Sequence, residues 1–108
     1  MIDMTIRSAS QTHEATDITN LLKVLADENR LKIITCLSSG EKCVCQLADA
    51  LDIPQNLISH HLKVLKTNRL VSDERRGRWV YYSLKDKRLS DFVVQAGEFC
   101  GCDDMGCP

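Results

Sequence analysis

One stretch, "DIPQNLISHHLKVLK" at residues 52–66, limits what this chain can fold into more than any other. Proline disfavours helical torsions in the residue before it and suits the first turn of a helix that follows. Pro54 therefore breaks the chain at Ile53 and starts a helix predicted to run to about Thr67. Ile58, Leu62 and Leu65 fall on one face of that helix. Asn56, Ser59, His60 and Lys63 recur at i, i+3, i+4 and i+7 on another. Before the break, residues 43–51 put Val44, Leu47, Ala48 and Leu51 on a shorter helix. Two short helices across a tight turn, the second with a hydrogen-bonding and basic face, make a helix-turn-helix.

The flanking sequence has matching periods. Ile18, Leu21, Leu22 and Leu25 form the stripe of an amphipathic helix. Asp27 is a suitable N-cap for a second helix that buries Leu31, Ile34 and Leu37 and ends at Ser38-Ser39-Gly40. After the helix-turn-helix, "LVSDERRGRWVYYSL" predicts a β-hairpin, with Val80, Tyr82 and Leu84 alternating against Trp79, Tyr81 and Ser83. Gly77 supplies its turn, and Arg75, Arg76 and Arg78 crowd its tip. Trp79 and Tyr81 are expected to pack in the hairpin and core. A last helix carries Leu89, Phe92, Val93 and Ala96. The predicted fold is thus mainly α with a small β-hairpin, a dimeric winged helix-turn-helix with four helices, two strands and a final helix. Residues 1–13, polar and without period, are expected to be a mobile arm, residues 14–99 one DNA-binding and dimerisation domain, and residues 100–108 a Cys-rich tail. A chain of 108 residues buries a limited core, so self-association is a natural way to bury more.

The charge is uneven. Residues 60–88 hold nine basic and three acidic side chains, whereas residues 1–59 hold five and eight. A basic segment inside an acidic chain points to a polyanion on one face. Gln55, Asn56, Ser59 and His60 occupy the half of the second helix that reaches base edges in a major groove, and Lys63, one turn later, suits phosphate. Arg75, Arg76 and Arg78 at the hairpin tip suit the DNA backbone or minor groove. Of His60 and His61, one is expected to pack inward and the other to be exposed.

The span from Ile18 to Leu84, above all "RLKII", "CVCQLA", "ISHHLKVLK" and "GRWVYYSL", resembles the ArsR/SmtB family of metal-responsive repressors. The resemblance implies a homodimer that represses transcription at double-stranded operator DNA and lets go on binding a thiophilic ion. In the arsenical-sensing branch a third Cys follows "CVC" after two intervening residues, where this chain has Ala48. In the cadmium- and lead-sensing branch further thiols come from an N-terminal arm, and residues 1–17 here contain no Cys. The family's zinc site on the last helix needs His and carboxylates, and residues 89–108 contain no His.

Six cysteines in a chain without an evident export signal suggest metal or redox chemistry rather than a disulfide framework. Cys36, inside "LKIITCL", is expected to be a small core residue. Cys43 and Cys45 stand at a helix start, where exposed N–H groups favour thiolate. On a regular helix residues i and i+2 do not face each other, so one ion is expected to hold both only by distorting the first turn. Cys100, Cys102 and Cys107 are the remaining candidates, to complete that site from either protomer or to form one of their own. The expected inducer is As(III) or Sb(III), with Cd(II), Pb(II) or Zn(II) as alternatives. Further alternatives are a structural zinc on Cys43, Cys45, Cys100 and Cys102, and a repressor of the same fold switched by thiol oxidation.

No apolar run reaches the ~18 residues of a membrane span. No basic segment followed by an apolar one opens the chain, so the expected location is cytoplasmic. The chain carries neither a C-x-x-C motif beside a βαβ unit nor a Gly-rich phosphate loop nor a nucleophile–base constellation, and an enzyme is not expected.

Overall fold

A computed structural model describes residues 8–100. The elements run α1 (Ser8–Leu25), α2 (Glu28–Leu37), β1 (Lys42–Cys43), α3 (Val44–Leu51), α4 (Gln55–Thr67), β2 (Val71–Arg76), β3 (Trp79–Leu84) and α5 (Arg88–Phe99). The expected order of helices and strands is present, with one addition: β1 pairs with β3, so the hairpin is part of a three-stranded antiparallel sheet in the order β1-β3-β2. Helix α1 also starts earlier than expected, at Ser8, where an arm through residue 13 was predicted. Lack of an apolar period says that a stretch is not buried. It does not forbid helix, and residues 8–25 contain no Pro or Gly to break one. Residues 1–7 of the predicted arm, and the tail from residue 101, lie outside the described residues.

The core gathers on the inner faces of α2, α3 and α4. Ile33, Ile34, Leu47, Ile58, Leu62 and Leu65 are fully buried, and Val71 brings the base of β2 onto them. Each such side chain stabilises the fold by roughly 1.5–3 kcal/mol relative to its exposed state. Three of the seven largest buried side chains belong to α4, so the helix carrying the expected reading face is also the most firmly anchored. Helix α2 starts as predicted: Asp27 is extended, and its carboxylate accepts from the Arg30 backbone N–H at 3.1 Å.

The α3–α4 turn follows from three residues. Asp52 takes left-handed torsions (φ 57°), which a short polar side chain tolerates. The Ile53 N–H then closes back on the Ala48 carbonyl at 3.1 Å, and the Ile53 side chain plugs the core. Pro54 sits at the N-cap of α4 with ψ 143°, setting the new helix direction.

Two expectations about packing need correction. Trp79, expected in the hairpin core, is 49% exposed. It pairs with Arg76 in the row next to the hairpin turn, beyond the reach of the helical core. The α1 stripe is only half covered: Leu25 is buried, but Ile18 is 53% and Leu22 48% exposed. Helix α5 buries no residue fully, and Phe92 is 42% exposed. Between these two helices runs an apolar groove of about 410 Å³ lined by Leu22, Leu25, Leu31, Phe92, Val93 and Ala96 among others.

Candidate functional site

Helix α4 presents Gln55, Asn56, Ser59, His60 and Lys63 to solvent, on the side away from Ile58, Leu62 and Leu65. None of Gln55, Asn56, Ser59 or Lys63 is hydrogen-bonded to another described residue through its side chain, so their donors and acceptors are open to a ligand. His60 and His61 divide as expected, one outward and one inward. His61 is 6% exposed, and its Nδ1 lies 3.3 Å from an Arg30 guanidinium nitrogen. Arginine can only donate, so Nδ1 must be unprotonated and the ring proton belongs on Nε2. Arg30 also donates from Nε to the Val24 carbonyl at 2.7 Å. One guanidinium thus links the end of α1 to α4. Burial pushes the His61 pKa below 6.5; Asp27 opposes this, and Arg30 and His60 reinforce it. Nothing in the spacing of residues 30 and 61 marks them as neighbours in the sequence.

The wing is fastened to α4 at its base, where Lys66 Nζ meets Asp73 at 2.8 Å. Toward the tip the register pairs Arg75 with Val80 and Arg76 with Trp79, and Gly77 turns the chain with φ 66°, a torsion that favours glycine. The three tip arginines are all exposed but not equivalent. Arg75 bends back to the Gly77 carbonyl at 3.4 Å, and Arg78 has no hydrogen bond or ion pair among the described residues. Arg76 is held: its two terminal nitrogens meet the Glu41 carboxylate at 2.5 and 2.9 Å, one of them also meets Glu74 at 2.8 Å, and its guanidinium lies 4.8 Å from the centre of the Tyr81 ring. Glu41 was not singled out from sequence.

The thiol pair departs from the expected geometry. Cys43 is not in the helix. It ends β1 and caps α3 with extended torsions (φ −89°, ψ 171°), and its backbone N–H donates to the Gln46 side chain at 2.9 Å. Only Cys45 has helical torsions. The sulfurs therefore face each other at 3.1 Å without any distortion of the first turn, which corrects the expectation that an ion must bend it. Cys43 is buried and Cys45 half-buried. Burial pushes the Cys43 thiol up, but the Cys45 thiol and the amides of Gln46, Cys45 and Cys43 outweigh it, so its pKa falls below the ordinary 9.0. The Cys43 sulfur in turn raises Cys45. Of the two thiols, the cap thiol Cys43 is therefore the one whose ionisation the local hydrogen bonds favour.

No cluster of three or more Cys, His, Asp or Glu able to hold a metal occurs among the described residues. Ala48 packs against the core where a third thiol of a self-contained site would stand. Cys100 is exposed at the end of α5 and lines the apolar groove instead. Cys102 and Cys107 lie outside the described residues. Cys36 is half-buried against the core, as expected.

Residues 27–73 match the family described as bacterial regulatory protein, arsR family. The arsenical resistance operon repressor of Staphylococcus xylosus is 36% identical over 91 residues, which cover 84% of this chain and 86% of that protein. The chain belongs to the ArsR family. The transcriptional repressor SmtB of Mycobacterium tuberculosis is 43% identical over 83 residues, 77% of this chain but only 62% of the repressor's own length. A CadC homolog of Staphylococcus aureus, a cadmium resistance regulatory protein, is 37% identical over 81 residues, covering 74% of this chain and 67% of that one. Among solved structures, the homodimeric winged helix-turn-helix DNA-binding domain of Mb0332 from Mycobacterium bovis has a TM-score of 0.71 at 25% identity, covering 89% of this chain and 86% of that domain. The relatives regulate transcription, the class expected from the sequence in place of an enzyme. No helix among the described residues is long and apolar enough to cross a membrane.

Proposed function

We propose that this ArsR-family chain is a transcriptional repressor. It binds double-stranded operator DNA as a homodimer and releases it when a thiophilic ion binds Cys43, Cys45 and a third thiolate. As(III) and Sb(III) are the inducers favoured, ahead of Cd(II), Pb(II) and Zn(II), because trivalent arsenic suits three thiolates. The third comes from Cys100, Cys102 or Cys107, of the same or the other protomer. The reading surface is Gln55, Asn56, Ser59, His60 and Lys63 on α4, with Arg75, Arg76 and Arg78 on the wing.

The observation that carries this reading is the place of the thiol pair. Tetrahedral Zn(II), with bonds of ~2.3 Å, holds its sulfurs roughly 3.8 Å apart, so the 3.1 Å pair needs to open by less than an ångström even for that ion, and by less for As(III), whose lone pair narrows the angle between its thiolates. The pair itself is ready, and the work of release falls to the third ligand. When that ligand is drawn in, the load acts on β1 and the start of α3 together. Strand β1 is paired with the wing strand β3, Cys43 opposite Tyr81, and α3 is the first helix of the reading pair. Both halves of the DNA surface are thus within one step of the sulfurs. The uncovered α1–α5 groove supports the dimer, whose two reading helices would stand about 34–36 Å apart, one DNA turn.

The test is an operator duplex selected by the ion-free protein from a random library, titrated with arsenite, antimonite, Cd(II), Pb(II) and Zn(II). Release by arsenite or antimonite, with affinity falling about 5–150-fold, is the expected result. Cys43→Ser and Cys45→Ser should bind the operator without ion and fail to release it. Normal release in both variants overturns the assignment to Cys43 and Cys45. Release by an oxidant alone, reversed by dithiothreitol, identifies the redox alternative.

A further inference from the structure

The wing arginines differ in what already holds them. We propose that Glu41 and Glu74 form a carboxylate clamp on Arg76 that competes with DNA phosphate, so that the wing offers DNA its Arg78 outright, Arg75 against a single 3.4 Å bond to the Gly77 carbonyl, and Arg76 only when the clamp opens. The inference rests on the DNA-binding reading above. It concerns which wing charge is available and what sets its availability.

The geometry is that of a phosphate site already filled by carboxylate. Guanidinium recognises planar or tetrahedral oxyanions through two parallel N–H···O bonds, and Glu41 supplies such a pair at 2.5 and 2.9 Å. Glu74 takes a further bond at 2.8 Å, and the Tyr81 ring lies 4.8 Å from the same group. The arrangement follows from the register. Glu74 is opposite Tyr81, Arg76 is two residues along the same strand and so shares that face, and β1 brings Cys43 opposite Tyr81 on the other side. Glu41 is two residues before Cys43 and reaches Arg76 across the sheet. The Arg76 guanidinium holds the Glu41 carboxyl below the ordinary range. Arg76 and both carboxylates remain partly exposed, so a phosphodiester can reach the guanidinium. Exposed pairs of this kind are worth little to stability, and a competing oxyanion exchanges with them readily. The clamp is therefore a tuning device on DNA affinity and not a support of the fold.

A double-mutant cycle on Glu41→Gln and Arg76→Ala tests this, with a random-sequence duplex as probe, since phosphate contact is independent of sequence. Affinity is read by fluorescence anisotropy across a salt series. Glu41→Gln should bind the duplex roughly 2- to 5-fold more tightly per protomer, the range that exposed ion pairs command. It should steepen the slope of log affinity against log salt, by up to about 0.9 per wing. Glu74→Gln should shift both in the same direction. In the Arg76→Ala background the Glu41→Gln gain should vanish, because nothing is left to release. A gain of equal size in that background overturns the clamp, since it would then be a general effect of removing negative charge. Unchanged affinity and slope in both Glu variants, with melting temperatures at the wild-type value, also overturn it. Wild-type protein that binds no duplex at all refutes the DNA-binding reading, a different outcome from either.

Discussion

His61 makes the fold sensitive to acid in a way that can be worked out from one contact. Its Nδ1 accepts from Arg30 at 3.3 Å in a site 6% exposed, so protonation would set a donor against a donor in a buried place. The folded pKa is depressed below the ordinary 6.5, mainly by burial. A depressed pKa contributes stability that is present above the unfolded value and is lost as pH falls toward the folded value. Between about pH 7.5 and about pH 5.5 stability therefore falls, by no more than about 1.4 kcal/mol per pH unit, the limit for one proton. Replacing His61 by Gln keeps a carbonyl oxygen for Arg30 and removes the titration. The assay is urea unfolding at both pH values, wild type and His61→Gln, at one fixed protomer concentration because any self-association would add to apparent stability. Wild type should lose more than the variant over that range, by no more than about 1.4 kcal/mol per pH unit. Equal losses refute the reasoning, and so does a wild-type protein that gains relative to the variant in acid. Because Arg30 also holds the end of α1 through the Val24 carbonyl, duplex affinity should weaken along with stability over this range, and less so in His61→Gln.

Other outcomes follow from the remaining geometry. Leu22→Glu and Phe92→Glu should each yield a folded monomer at micromolar concentration in sedimentation equilibrium, since both side chains are largely exposed in the single chain and line the apolar groove. Asn56→Ala and Ser59→Ala should each lose sequence preference at a cost of roughly 1–3 kcal/mol where they touch bases, measured by gel shift on operator against random duplex. Arg78→Ala, with no intramolecular partner to release, should weaken both duplexes alike and reduce the salt slope by about 0.9 per wing. Replacing Cys100, Cys102 and Cys107 together should leave ion-free DNA binding intact and abolish release by arsenite. Persisting release would remove the tail from the inducing site. Ile58→Ala, at a fully buried position under the reading face, should cost roughly 2–5 kcal/mol in urea unfolding.

Much of the architecture was legible because it rests on local chemistry. Pro54, the Ile58-Leu62-Leu65 spacing, the Asp27 cap and the Gly77 turn each act within a few residues, and a linear reading sees them whole. The outward set on α4 was legible for the same reason: once the buried face of a helix is known, its opposite face is too. What the tertiary structure decided are the pairings between residues distant in sequence. Strand β1 is two residues long, too short to show a period, and forms only because β3 offers it an edge. That pairing holds Cys43 in extended torsions, which is why the sulfurs meet without distortion when a helical reading of i and i+2 kept them apart. It also carries Glu41 to Arg76, and packing of α2 on α4 carries Arg30 to His61. A salt bridge or a buried hydrogen bond across 31 or 35 residues leaves no spacing to read, because only the folded chain decides which charges become neighbours.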